Sequence, residues 1–197
     1  MVGSAARHMI SYQLLELGAQ MKILVTAFAA LTLTAGLAAP ALAMGSGDKY
    51  EDHQVGVGYT VYEPDNTANL NLTNFTARTD CPAGVDAPLI ATYGKKSGAR
   101  FTIEEGNPMC SDIGVGESVY SFKVDGKKAQ IYAYCDPSVI TNCTKDDVAK
   151  YGGHVTVVMP AGPGLSKTIV WIETWGGKKY LTWQQLVAVT KSLNPVG

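Results

Sequence analysis

From Val55 onward, apolar and polar residues alternate in short runs broken by glycine and proline, and nearly every run predicts a strand. Val55, Val57, Tyr59 and Val61 share one side of an extended segment, with Gly56, Gly58 and Thr60 on the other, so a strand is expected over Val55 to Glu63. Pro64-Asp65-Asn66 closes it with turn chemistry. Leu70 to Ala77 is less regular, because Leu72 and Phe75 fall out of period, which suggests a bulge. Pro88 to Tyr93 and Arg100 to Glu104 read as two strands joined by a Gly-Lys-Lys-Ser-Gly hairpin loop. The clearest signal is Ser118 to Cys135, where alternation runs up to Asp125-Gly126 and away again; Asp-Gly supplies the two positive φ angles of a type I′ turn.

Helical signals come late. Thr144 and Asp147 can cap a short helix over Lys145 to Lys150, stopped by Gly152-Gly153. His154 to Met159 and the β-branched run Thr168 to Thr174 are strands, the second a central one. Gly176-Gly177 turns the chain into Lys179 to Leu181. Thr182 and Gln185 then form a capping box before a helix over Trp183 to Leu193, with Leu186, Val189, Thr190 and Leu193 on one face and Asn194-Pro195 as its end. Strands dominate and helices are few, so the expected class is α+β: an antiparallel sheet with a C-terminal helix packed on one face.

The N-terminus changes how the cysteines are read. Lys22, the apolar run Ile23 to Leu33, Gly36 and Pro40, and then Ala41-Leu42-Ala43 make a charged start, a short hydrophobic centre and a small-x-small cleavage site. That is a secretory signal over 21–43, with 1–20 an upstream extension, Met44 the mature N-terminus and 44–54 a flexible leader. A single domain over 55–197 follows, with no second apolar stretch long enough to span a bilayer. In an oxidising compartment Cys81, Cys110, Cys135 and Cys143 suggest two disulfides. Cys135 and Cys143 flank a turn-rich loop, which favours Cys135–Cys143 and leaves Cys81–Cys110. On the chain-entropy model these contribute roughly 2.5 and 3.5 kcal/mol. No paired C-x-x-C is present and His53 and His154 are remote in sequence, so no metal or other cofactor is expected. Net charge is −1 and no basic stripe appears, which argues against nucleic acid as partner.

The run Val55-Gly56-Val57-Gly58-Tyr59-Thr60-Val61-Tyr62, the Asp-Gly hairpin, the Cys-Asp-Pro loop and the ending Leu181-Thr182 to Leu193-Asn194-Pro195-Val196 resemble those of uncharacterised secreted actinobacterial proteins. These motifs are strand, turn, cap and cysteine, so the resemblance implies export and a shared fold and says nothing of activity.

Candidate chemistry is sparse. There is no G-x-S-x-G element, and His53, His154 and Glu104 are the only set available for acid–base work, with His154 expected to be partly exposed at the start of its strand. Asp48, Glu51, Asp52, Asp146, Asp147 and the neighbours Glu104 and Glu105 read as solvated surface; on a strand the last two point to opposite faces. Neither Gly56-x-Gly58 nor Gly114-x-Gly116 continues into a phosphate-binding motif. Trp171 is expected in the core, whereas Trp175, Tyr180 and Trp183 make the candidate ligand or partner surface; the alternative for these tryptophans is packing the helix onto the sheet. The sequence thus reads as a secreted, non-enzymatic binding or interaction domain at or outside the cell envelope, with an unknown protein, glycan or small ligand as partner. Two alternatives stand beside it: a small hydrolase using His53 and His154, and an enzyme inhibitor presenting the Cys135–Cys143 loop.

Overall fold

The structure is a computed structural model and describes residues 47–107, 110 and 116–197. The signal over 21–43, the segment 1–20 and the cleavage junction at Met44 lie outside the described residues. Seven strands form one sheet in the order β2-β3-β4-β8-β7-β6-β5, with every neighbouring pair antiparallel. They are β2 (Leu72–Ala77), β3 (Leu89–Gly94), β4 (Arg100–Gly106), β5 (Glu117–Val124), β6 (Lys127–Ala133), β7 (Gly153–Met159) and β8 (Thr168–Thr174). The β-branched run is indeed the central strand. The register shifts between Leu72 and Asn74, where the broken period suggested a bulge. Asp125 (φ 46°) and Gly126 (φ 75°) make the β5–β6 turn with both φ angles positive, which glycine adopts freely and aspartate tolerates. The chain is mostly antiparallel sheet with a few short helices, less helix than an α+β class brings to mind.

One face of the sheet carries the core: Phe101 and Ile103 of β4, Val170 and Ile172 of β8, Val155 and Val157 of β7, Ile131 of β6. Helix α3 (Trp183–Lys191) lies beside β7 and β5 and buries Leu186, Val189 and Thr190 in the same core. Its N-terminus is the expected box: Thr182 Oγ1 accepts from the Gln185 N–H at 3.2 Å, and Gln185 Oε1 accepts from the Thr182 N–H at 2.9 Å. Thr182→Ala should lower stability by about 1 kcal/mol, measurable as a shifted urea midpoint at unchanged m-value. The turn Lys145–Asp147 and α2 (Val148–Tyr151) carry a second box between Thr144 and Asp147, ended by Gly152. Asp147 is therefore mostly buried rather than solvated.

Three segments differ from the pattern. Residues 49–54, assigned to a flexible leader, form α1 (Lys49–Gln54), N-capped by Asp48, with Tyr50 buried and its hydroxyl 2.6 Å from that of Tyr93. One apolar residue in a polar stretch gives no period to read, yet it suffices as an anchor when a cap precedes it. The strand expected from Val55 shrinks to β1 (Tyr62–Pro64): Val55 is 79% exposed, while Tyr59 and Val61 are buried. The Gln54 side chain takes over part of the ladder's role, donating to the Tyr59 carbonyl and accepting from the Val61 N–H. Helix α3 stops at Lys191, two residues short of expectation. Ser192 folds back on the Val189 carbonyl, and Leu193–Pro195 becomes β9, paired antiparallel with β1. Leu193 is buried as its period required, but from a strand.

The cysteines pair as Cys81–Cys110 and Cys135–Cys143, the arrangement favoured above, and two disulfides fit an oxidising compartment. No helix among the described residues is long and apolar enough to cross a membrane.

Candidate functional site

The face of the sheet opposite the core is built from Gln130 and Tyr132 of β6, His154 and Thr156 of β7, Ile169, Trp171 and Glu173 of β8, and Thr102 and Glu104 of β4. Register places Tyr132 opposite His154, His154 opposite Glu173, and Thr156 opposite Trp171. The imidazole stacks on Tyr132 (centroids 4.8 Å, 12° between planes) and leans on Trp171 at 4.4 Å. Two expectations are corrected here. His154, expected to be partly exposed, is fully buried, because strands on both sides flank it with aromatic rings. Trp171, expected in the core, lies on the other face with Ile169. A central strand is apolar on both sides, so alternation cannot say which side is the core.

Hydrogen bonding fixes the state of His154. The Tyr134 hydroxyl donates to Glu173 Oε1 at 2.6 Å and lies 3.0 Å from His154 Nδ1. Its single proton is committed to Glu173, so its oxygen accepts, and His154 must carry its proton on Nδ1. Burial lowers the His154 pKa to about 4, so the ring is neutral at pH 7. Burial, and secondarily the bond to Glu173 and its charge, pushes the Tyr134 hydroxyl far above its ordinary range. Nε2 then presents a lone pair, and among the described residues it has no hydrogen-bond partner; nor have Thr156 Oγ1 and Trp171 Nε1 on the same face. The cluster offers one acceptor (Nε2), one donor (the indole N–H) and one group that is both.

Tyr134 also reaches a hollow of about 540 Å³ lined with Gly116, Glu117, Cys135 and Pro137, within the range of small-molecule sites. Two glycines border its ring, and Gly152 is required by its positive φ and the nearby Thr174 carbonyl. A Cβ on Gly152, at φ +83°, would stand 2.7 Å from the Thr174 carbonyl and 3.5 Å from Tyr134 Cδ2; one on Gly116 would stand 3.4 Å from Cδ1. Tyr134 therefore joins the hollow to His154 through one hydroxyl. It followed the hairpin in sequence without any sign of a role; only its place next to a histidine on the neighbouring strand reveals one.

The other candidates fall elsewhere. His53 Nε2 lies 2.9 Å from the Tyr59 hydroxyl and its ring sits near Phe75; among the described residues it shares no hydrogen-bond or ring partner with His154. Glu104 shares the face of His154 but pairs with Arg78 at 3.0 Å, so the three-residue acid–base set is not assembled. Glu104 and Glu105 do point to opposite faces. Glu105, read as solvated, is instead fully buried in the core, where its Oε2 accepts from the Tyr62 N–H and burial raises its pKa well above the carboxylate range. Cys135, Cys143 and Asp147 bring three potential ligand atoms within 4.8 Å of one another. A disulfide offers no thiolate, however, and Asp147 serves Thr144 and Lys150. Trp183 is half-buried, tilted on Tyr120 at 5.0 Å, with its indole N–H on Asp146 and Lys145 Nζ 4.2 Å above its ring. Trp175 is 60% exposed at the end of β8. Among the described residues no ring contact joins Trp175, Tyr180 and Trp183. Compared with protein-family models, with curated proteins and with solved structures, the chain matches none.

Proposed function

We propose that the chain is a secreted, non-enzymatic binding domain that takes a small, uncharged, hydroxyl-bearing ligand at the Tyr134 hollow and the aromatic face behind it. The observation that carries this reading is His154: a neutral imidazole, oriented by Tyr134 and Glu173, whose Nε2 has no partner. A buried polar atom without a partner costs about 1–3 kcal/mol, so a donor that reaches it gains that much over one left in water. All three unpartnered atoms are buried and none lines the hollow, so a ligand hydroxyl, which both donates and accepts, matches them once the side chains over them move aside. Catalysis is disfavoured because among the described residues no hydroxyl or thiol is hydrogen-bonded to Nε2 as a nucleophile would be, and all four cysteines are oxidised. Export is supported by the two disulfides and the N-terminal pattern.

Calorimetric titration with neutral monosaccharides, polyols and nucleosides tests the reading. Tyr134→Phe releases His154 from its orientation and should weaken the best ligand at least about tenfold, or ~1.4 kcal/mol. Equal affinity of wild type, Tyr134→Phe and His154→Gln would remove the site. One observation favours a second reading, enzyme inhibition. Val139 is 76% exposed at the tip of a loop closed by Cys135–Cys143 and by Val139 and Ile140 N–H bonds to the Asp136 carbonyl. Inhibition of a secreted hydrolase that Val139→Asp abolishes would establish it.

A further inference from the structure

Two dibasic pairs that are far apart in sequence meet at one end of the sheet. Lys95 and Lys96 lie in the β3–β4 loop, and Lys178 and Lys179 in the connection from β8 to α3. The loops are joined by backbone bonds from the Lys178 N–H to the Lys96 carbonyl (3.1 Å) and from the Lys179 N–H to the Gly98 carbonyl (3.2 Å), with a bridge between Ala99 and Lys179. All four lysines are exposed. Arg100 stands beside them, close enough that a Cβ on Gly176 would come within 3.0 Å of its Nη1. None of these five cations forms an ion pair among the described residues. No acid occurs between Ala91 and Ile103 or anywhere after Glu173, so neither loop supplies a counter-charge. A backbone-fixed cluster of unneutralised positive charge attracts anions over about a Debye length, ~8–10 Å in physiological salt.

The surroundings narrow the anion. A shallow groove of about 300 Å³ runs beside Lys95, lined with Asn69, Asn71, Thr73 and Ser97, whose amides and hydroxyls suit the hydroxyls of a sugar. Trp175 opens the second loop, 60% exposed, and can stack on the apolar face of a pyranose ring. The cations are mostly lysines, point charges without the planar fork that favours phosphodiester backbones. We propose that this end of the molecule is a docking surface for an acidic polysaccharide, the lysines holding its carboxylate or sulfate groups and Trp175 one of its rings. The groove beside Lys95 shares no lining residue with the Tyr134 hollow, although Trp175 and Tyr134 both border Gly152, and the proposal does not rest on the hollow.

Binding of the full exported chain to polygalacturonate, sulfated dextran, neutral dextran, a DNA duplex and phosphatidylglycerol vesicles tests this, at ~0.05 and ~0.5 M salt. Polygalacturonate or sulfated dextran should bind and neutral dextran should not, with affinity falling as salt rises. Lys95→Ser/Lys96→Ser and Lys178→Ser/Lys179→Ser should each weaken that binding by about tenfold and abolish it together, with melting temperature unchanged because the side chains are exposed. Trp175→Ala should weaken it at unchanged salt dependence. Failure to bind either acidic polysaccharide, tighter binding to DNA or vesicles, or indifference to the lysine substitutions would each overturn the proposal.

Discussion

Leu186→Ala should cost about 2–5 kcal/mol, the larger of the two stability losses expected in the C-terminal helix. Leu186 is fully buried in the middle of α3, where the helix rests on the core face of the sheet. Its removal loses the transfer energy of the side chain and leaves a cavity that β-sheet residues cannot collapse to fill. A nine-residue helix has little stability of its own, so its packed face must hold it in place. Chemical denaturation followed by tryptophan fluorescence measures the loss against that of Thr182→Ala. A cost for Leu186→Ala no greater than that for the cap would mean that α3 is not anchored through this residue.

Replacing His154 should reshape the pH dependence of stability. Its folded pKa of about 4 lies below the ordinary histidine value of 6.5. Above pH 6.5 both states are neutral and the group contributes nothing to the pH dependence. As pH falls from 6.5 toward 4 the unfolded chain takes up a proton that the folded one refuses, so unfolding becomes easier by about 3 kcal/mol in all. In His154→Gln that contribution is gone, so wild type should lose stability relative to the variant across this window. Comparison with the variant isolates the group from Glu105, whose raised pKa acts with the opposite sign: it stabilises at low pH and loses that effect as pH climbs past the carboxylate range. Parallel profiles for wild type and His154→Gln would show that the imidazole is solvated in the folded protein.

Local elements could be read from the chain because their causes are local. The Asp125-Gly126 turn, both capping boxes and the two disulfide pairs rest on residues within a turn, a cap or a loop of one another, or follow from them by exclusion. Misreadings share a different cause. Trp171, Glu105 and His154 each sit on a strand whose two neighbours decide which face is core, and strand order is not written in any one segment. The early strand failed because Gln54 satisfied backbone groups that a ladder would have served. The candidate site was illegible for the same reason: Tyr134, His154 and Glu173 come from β6's end, β7 and β8, and only register brings them together. The basic loops were hidden likewise, as two interspersed dipeptides that look unremarkable until the sheet brings its ends into contact.

The state of the two histidines in the described chain is the most direct test of the candidate site, and they serve as controls for each other. His53 should be the opposite tautomer to His154: the Tyr59 hydroxyl donates to the Ala87 carbonyl, so its oxygen accepts from His53 Nε2–H. Long-range ¹H–¹⁵N correlation of the imidazole nitrogens at pH 7 distinguishes protonated from lone-pair nitrogen. The expected spectrum shows Nδ1–H with a bare Nε2 for His154 and Nε2–H with a bare Nδ1 for His53, and only the His154 Nε2 signal moves when a hydroxyl-bearing ligand is added. A proton on Nε2 of His154, or a ligand that leaves that nitrogen unmoved, would contradict it.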